Sequence, residues 1–199
     1  MLIAALRAVF PTHHDVKKQV VMSDRTEAFQ IDSLNVYNGG VIGLAYCPGR
    51  CGLDAQGHLW RRSMDKDVAT IHNWGAAAVV SLVTLSELKN LAAGSLSSAL
   101  SARNIVWYHC PINDRQAPDF RFEAMWSKIE TKLLELLCEQ RRVLLHCAAG
   151  LGRTGTVAAR LLIASGVPAP QALARVRAVR PGTVETAVQE RYLLALSDA

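Results

Sequence analysis

The run "RVLLHCAAGLGRTGTVAARLLIAS" at residues 142–165 constrains this chain more than any other stretch. A short apolar segment, "RRVLLHC", reads as a buried strand. It feeds a loop of small residues with glycines at 150, 152 and 155, and then a helical pattern, "TGTVAARLLIASG", closed by Gly166. A strand delivered straight into a helix through a glycine loop is one half of a parallel crossover. The unit therefore asks for a sheet with helices packed on it.

The rest of the chain supplies that setting. "GGVIGLAYCPGRCG" is an apolar strand ending at a Pro-Gly turn, and "AAAVVSLVT" is a second, Val-rich and buried strand. "NIVWYHCP" is a third, stopped by Pro111. Between them, "DKDVATIHNWG" spaces Val68, Ile71 and Trp74 as a helix does. "DFRFEAMWSKIETKLLELLCEQ" predicts one long helix with Asp119 as its N-cap, and "PAPQALARVRAVRPG" and "TAVQERYLLALS" predict two more. The expected fold is α/β: a single domain with a central, mostly parallel β-sheet flanked by helices on both faces. Residues 1–24, including the "PTHHD" turn, form an N-terminal extension, and residues 25–199 form the domain.

The chemistry concentrates at Cys147. Unpaired N–H groups at a helix N-terminus, together with the helix dipole, favour an anion there. Glycines leave room for a ligand against the main chain, so the loop Ala148, Ala149, Gly150, Leu151, Gly152 and Arg153 suits a phosphate. The planar fork of Arg153 can hold two phosphate oxygens at once. The same positive field favours the thiolate of Cys147, a nucleophile that needs no metal or other cofactor. Thr154 can hydrogen-bond the sulfur and ease its later departure, and His146 orients the loop rather than acting as a base. The competing account, an inert buried thiol, does not explain the C-x5-R spacing, the preceding His or the following Thr-Gly.

His-Cys-x5-Arg-[Ser/Thr]-Gly, here "HCAAGLGRTG", resembles the signature of the cysteine-dependent protein tyrosine phosphatases, including the dual-specificity group. "YHCPINDRQAPD" is similar to the general-acid loop of the group resembling the cyclin-dependent-kinase-associated phosphatase. "GTVETAVQERY" is similar to the C-terminal segment that carries a water-positioning glutamine there, and "GLAYCPG" to its first core strand. The resemblance covers about residues 25 to 197. It implies a protein tyrosine phosphatase-like fold and hydrolysis of phosphate monoesters on phosphotyrosine, and also phosphoserine/phosphothreonine, proteins through a phosphocysteine intermediate. Family habit further suggests a protective disulfide between Cys147 and a nearby thiol such as Cys47.

A leaving oxygen needs a proton, and "PINDRQAPD" offers two carboxyls. Asp119 has an adequate role as a helix cap, whereas Asp114 has none as clear and matches the family's "PI-x-D" pattern. Asp114 is the expected acid, then the base on a water held by Gln189. For Gln189 a plain helix position is the alternative.

Composition bounds the partners. The net charge is +5, but the basic residues are scattered, which argues against nucleic acid. No apolar run is long enough to span a bilayer, and "MLIAALRAVF" is interrupted by Arg7, so neither a membrane nor a signal peptide is expected. Five cysteines, an odd number in a chain of this length, fit a reducing cytoplasm. "CPGRC" lacks the second pair that a zinc site needs, so no metal is expected. The partner is a phosphorylated protein substrate. The uncharged loop positions Ala148, Ala149 and Leu151 disfavour polyanionic lipids. The alternatives are a phosphatase of inositol phosphates or other small esters, and a non-catalytic phosphoprotein-binding module.

Overall fold

The computed structural model describes residues 28–36, 39–54 and 57–196; the N-terminal extension and its "PTHHD" turn lie outside them. Five strands make the main sheet: β1 (Asp32–Asn35), β2 (Val41–Ala45), β5 (Ala76–Ser81), β6 (Val106–His109) and β7 (Arg142–His146), in the order β1-β2-β7-β5-β6. Only β1 runs antiparallel to its neighbour; β2–β7, β7–β5 and β5–β6 are parallel. The expected mostly parallel sheet with flanking helices is what forms. Its central strands are buried throughout: Val79, Val80, Val143, Leu144 and Leu145 have no exposed surface, as continuous apolar runs in parallel sheets require.

The helices are α1 (Met64–Asn73), α2 (Leu85–Asn90), α3 (Leu96–Ser101), α4 (Phe120–Trp126), α5 (Glu130–Cys138), α6 (Gly152–Ala164), α7 (Ala169–Val179) and α8 (Ala187–Ala195). The α1 and α3 helices pack on each other and on β5 and β6, while α6 lies on β2 and β7 with α7 and α8 beside it. The long helix expected over residues 119–140 is two. Ser127 closes α4, and α5 restarts after Ile129. The apolar pattern runs through this break because both pieces bury the same side, with Phe122, Trp126, Leu133 and Leu137 all in the core. Arg160 of α6 ties the pieces together through ion pairs to Glu123 and Glu130.

The sequence reading did not anticipate five elements: β1, the hairpin of β3 (Cys51–Leu53) and β4 (Leu59–Arg61), and the short helices α2 and α3. All are brief, and β3–β4 carry too few alternating residues to register as strands.

Candidate active site

The C-terminal ends of β2, β5 and β7 meet at one edge of the sheet, and β7 delivers Cys147 there, 3% exposed. The loop from Cys147 to Leu151 curls over it before α6 begins. Three contacts hold the loop carbonyls outward. Cys47 N–H and Arg50 Nη1 both donate to Ala148 O, at 3.2 and 2.9 Å, and Arg180 Nη2 donates to Ala149 O at 3.1 Å. Because a trans peptide points its C=O and N–H in opposite directions, the amides of residues 149 and 150 turn inward. Accordingly Gly150 N–H donates to Cys147 Sγ at 3.2 Å. Gly150 has φ +75°, and a Cβ there would lie 2.5 Å from Ala45 backbone atoms. The loop needs glycine at this point for both reasons.

His146 has no exposed surface. Trp107 Nε1–H, which can only donate, gives its proton to Ser81 Oγ at 2.7 Å. The Ser81 hydroxyl is then free to donate to His146 Nε2, 2.5 Å away, which leaves the proton on Nδ1, facing Cys147 O at 3.3 Å. Burial pushes the imidazole down to about 4, so the ring is neutral. Its neutral ring meets the carbonyl of the residue that carries the thiol.

Arg153, the second residue of α6, is 2% exposed and surrounded by acceptors. Glu87 of α2 grips both its terminal nitrogens, at 2.8 Å to Nη2 and 2.9 Å to Nη1, and Ile112 O accepts from Nη1 at 3.1 Å. Burial alone would raise the Glu87 carboxyl, but the bonds from Arg153 and Thr84 outweigh it and hold the carboxyl below the ordinary range. Burial likewise opposes the Arg153 charge, and Glu87, Cys147 and Asp114 more than restore it. The paired, planar guanidinium is thus held charged, and it interacts electrostatically with the Cys147 sulfur.

Asp114 Oδ1 sits 2.9 Å from Arg153 Nη2, with its side chain 68% exposed, on the loop after Pro111. Asp119 instead caps α4, accepting from Arg121 N–H at 3.0 Å and Phe122 N–H at 2.9 Å. The two carboxyls thus have different partners, the Arg153 guanidinium for Asp114 and the first amides of α4 for Asp119. Backbone bonds from Cys110 N–H to Ser81 O and from Ile112 N–H to Leu82 O anchor the root of the Asp114 loop to the end of β5.

Two further expected residues are present but differently engaged. The Thr154 hydroxyl is buried with no hydrogen-bond partner among the described residues. Gln189 is fully buried. Its Nε2 donates to Gln116 O at 3.2 Å, and its Oε1 accepts from Thr186 N–H at 3.3 Å in the capping box of α8. It therefore brackets the Asp114 loop from behind. Cys47 is buried beneath the loop as a free thiol, which burial pushes up to about 12. Sequence reasoning missed Glu87, Ser81 and Glu185, whose Oε2 accepts from Gly152 N–H at 2.7 Å. For Glu87 a signal existed: "TLSE" at residues 84–87 is a capping box, which the structure forms.

A thiol at the floor of an amide-lined loop, faced by a buried guanidinium and a carboxyl on a separate loop, is the working arrangement of a cysteine-based protein phosphatase. Residues 55–193 match the family model described as PTP-SAK, the Swiss Army Knife protein DSP-PTPase phosphatase domain, and the chain belongs to that family. It is 32% identical over 159 residues to cyclin-dependent kinase inhibitor 3 of Mus musculus, covering 79% of this chain and 72% of that protein. Against the Homo sapiens protein of the same name the identity is 30% over 160 residues, with the same coverage. The fold is similar to kinase associated phosphatase (KAP) carrying serine in place of its catalytic-site cysteine, with a TM-score of 0.76 and 28% identity over 87% of this chain and 96% of that one. It is also similar to Tk-PTP in its active form, with a TM-score of 0.63 and 28% identity over 84% and 97%.

Proposed function

We propose that the protein hydrolyses phosphate monoesters on phosphotyrosine, and also phosphoserine/phosphothreonine, proteins through a phosphocysteine. The carrying observation is that Asp114 pairs with Arg153 at 2.9 Å while the Cys147 thiol, which accepts from Gly150 N–H, interacts electrostatically with the same guanidinium. In the first step the Cys147 sulfur attacks phosphorus, the ester P–O bond breaks and Asp114 gives its proton to the leaving oxygen. In the second, water attacks phosphorus, its proton passes to Asp114, and the P–S bond breaks to return the thiolate. The loop amides from Ala148 to Arg153 and the Arg153 fork carry the phosphoryl charge in both steps. Thr154, whose hydroxyl is uncommitted, stabilises the departing sulfur. Gln189, whose amide lies beside Gly152 and bonds Gln116 O behind the Asp114 loop, orients the water.

The uncharged side chains of Ala148, Ala149 and Leu151 favour a phosphoprotein over a polyanionic ester, and the similarity to cyclin-dependent kinase inhibitor 3 favours the same substrate class. Free cysteines among the described residues fit a cytoplasmic setting. Turnover of para-nitrophenyl phosphate, with a burst of one equivalent and inhibition by vanadate, tests this reading. Binding of phosphopeptides without turnover would replace it with a docking module.

A further inference from the structure

The helix α6 opens on Gly152, and its N-cap residue Leu151 contributes no side-chain cap. The Gly152 N–H is therefore one of the free donors that the phosphate loop offers an anion. A carboxylate of the protein itself holds it: Glu185 Oε2, at 2.7 Å. The approach is close enough that a Cβ on Gly152 would stand 2.5 Å from that oxygen. Glu185 is exposed, on the segment between α7 and α8, so its carboxylate can swing into solvent. It is not needed to start α8, because Thr186 and Gln189 complete that capping box themselves. Arg153, the other half of the cradle, is likewise occupied by the carboxylates of Glu87 and Asp114.

Resting on the phosphatase reading above, we infer that Glu185 is a specificity-determining residue whose carboxylate competes with a phosphoryl oxygen for Gly152 N–H. A substrate phosphate displaces it from Gly152 N–H. The displaced carboxylate stays at the rim of the cradle, where it repels further negative charge. A single phosphate on a protein meets this competitor once. A polyphosphorylated ring meets it again with every additional phosphate near the rim. Glu185 thus weakens phosphate affinity in general and penalises polyanions most.

The experiment uses the full chain with Cys147→Ser, alone and combined with Glu185→Gln, titrated calorimetrically with inorganic phosphate. Glutamine keeps an acceptor for Gly152 N–H and removes the charge. A helix-terminal charge of this kind predicts phosphate binding on the order of three- to tenfold tighter in the combined variant. With the active cysteine restored, Glu185→Gln raises kcat/KM for inositol hexakisphosphate by a larger factor than for a singly phosphorylated peptide. Unchanged or weaker phosphate binding, or equal gains on both substrates, overturns the inference while leaving the phosphatase reading intact. If the Cys147→Ser chain binds no phosphate and the wild type turns over no ester, both fall together.

Discussion

Asp114 Oδ1 and Arg153 Nη2 lie 2.9 Å apart, so the proposed acid and the proposed phosphate clamp are in direct contact. The pair holds the Asp114 loop against the cradle through a side chain that is otherwise largely in solvent. A phosphate entering the cradle competes for the same guanidinium nitrogen and turns the carboxyl from a partner of Arg153 into a neighbour of the leaving oxygen. Asp114→Asn removes the proton donor and relieves Arg153 of one negative neighbour. Turnover of para-nitrophenyl phosphate is expected to fall by roughly a hundredfold to ten-thousandfold, with vanadate inhibition kept or strengthened. Near-normal turnover would transfer the acid role away from Asp114.

Glu87 is the residue that aims Arg153. Its two oxygens meet both guanidinium nitrogens, and Glu87→Gln cannot reproduce that bidentate charge pairing. Misdirecting a clamp of this kind costs on the order of a hundredfold in kcat/KM. The Glu87 carboxyl is held below its ordinary range, so its pairing adds stability at pH values above that range. That contribution fades as pH falls through the depressed value. The melting-temperature difference between wild type and Glu87→Gln should accordingly be largest near neutrality and shrink in strong acid. A difference independent of pH would mean that the ion pair contributes nothing.

His146 gives the fold a pH dependence of its own. Folded, it stays neutral down to about 4, whereas in the unfolded chain it takes up a proton near its ordinary value of 6.5. Between those values the unfolded state binds more protons, so stability falls as pH drops from 6.5 towards 4. The loss is on the order of 3 kcal/mol. Urea unfolding of wild type and His146→Asn across this window should show a steeper decline in wild type. Parallel declines would mean that His146 is not the group responsible.

The contiguous parts of the site were legible in the chain, and the parts assembled across the sheet were not. Cys147, Gly150 and Arg153 fall within seven consecutive positions whose spacing carries its own geometry, and the "PI-x-D" pattern brought Asp114 with it. Glu87, Ser81 and Glu185 reach the cradle because β5 lies beside β7 and the α7–α8 segment returns to α6. The capping box "TLSE" marks Glu87 as a helix-start residue but not as a partner of Arg153, and nothing local to Ser81 or Glu185 records their place at the cradle. The break at Ser127–Ile129 escaped for the opposite reason: the buried face of α4 continues into α5, so the hydrophobic period passes through the turn undisturbed.

The central claim is that the phosphoryl group passes through the sulfur of Cys147. Rapid-quench reaction of the wild-type protein with para-nitrophenyl phosphate, followed by peptide mass spectrometry, tests it most directly. The account predicts one phosphoryl group on the peptide containing Cys147, more of it in Asp114→Asn if water attack is slowed more than transfer, and none in Cys147→Ser, which should not turn over. A Cys147→Ser protein that still hydrolyses the ester would contradict it.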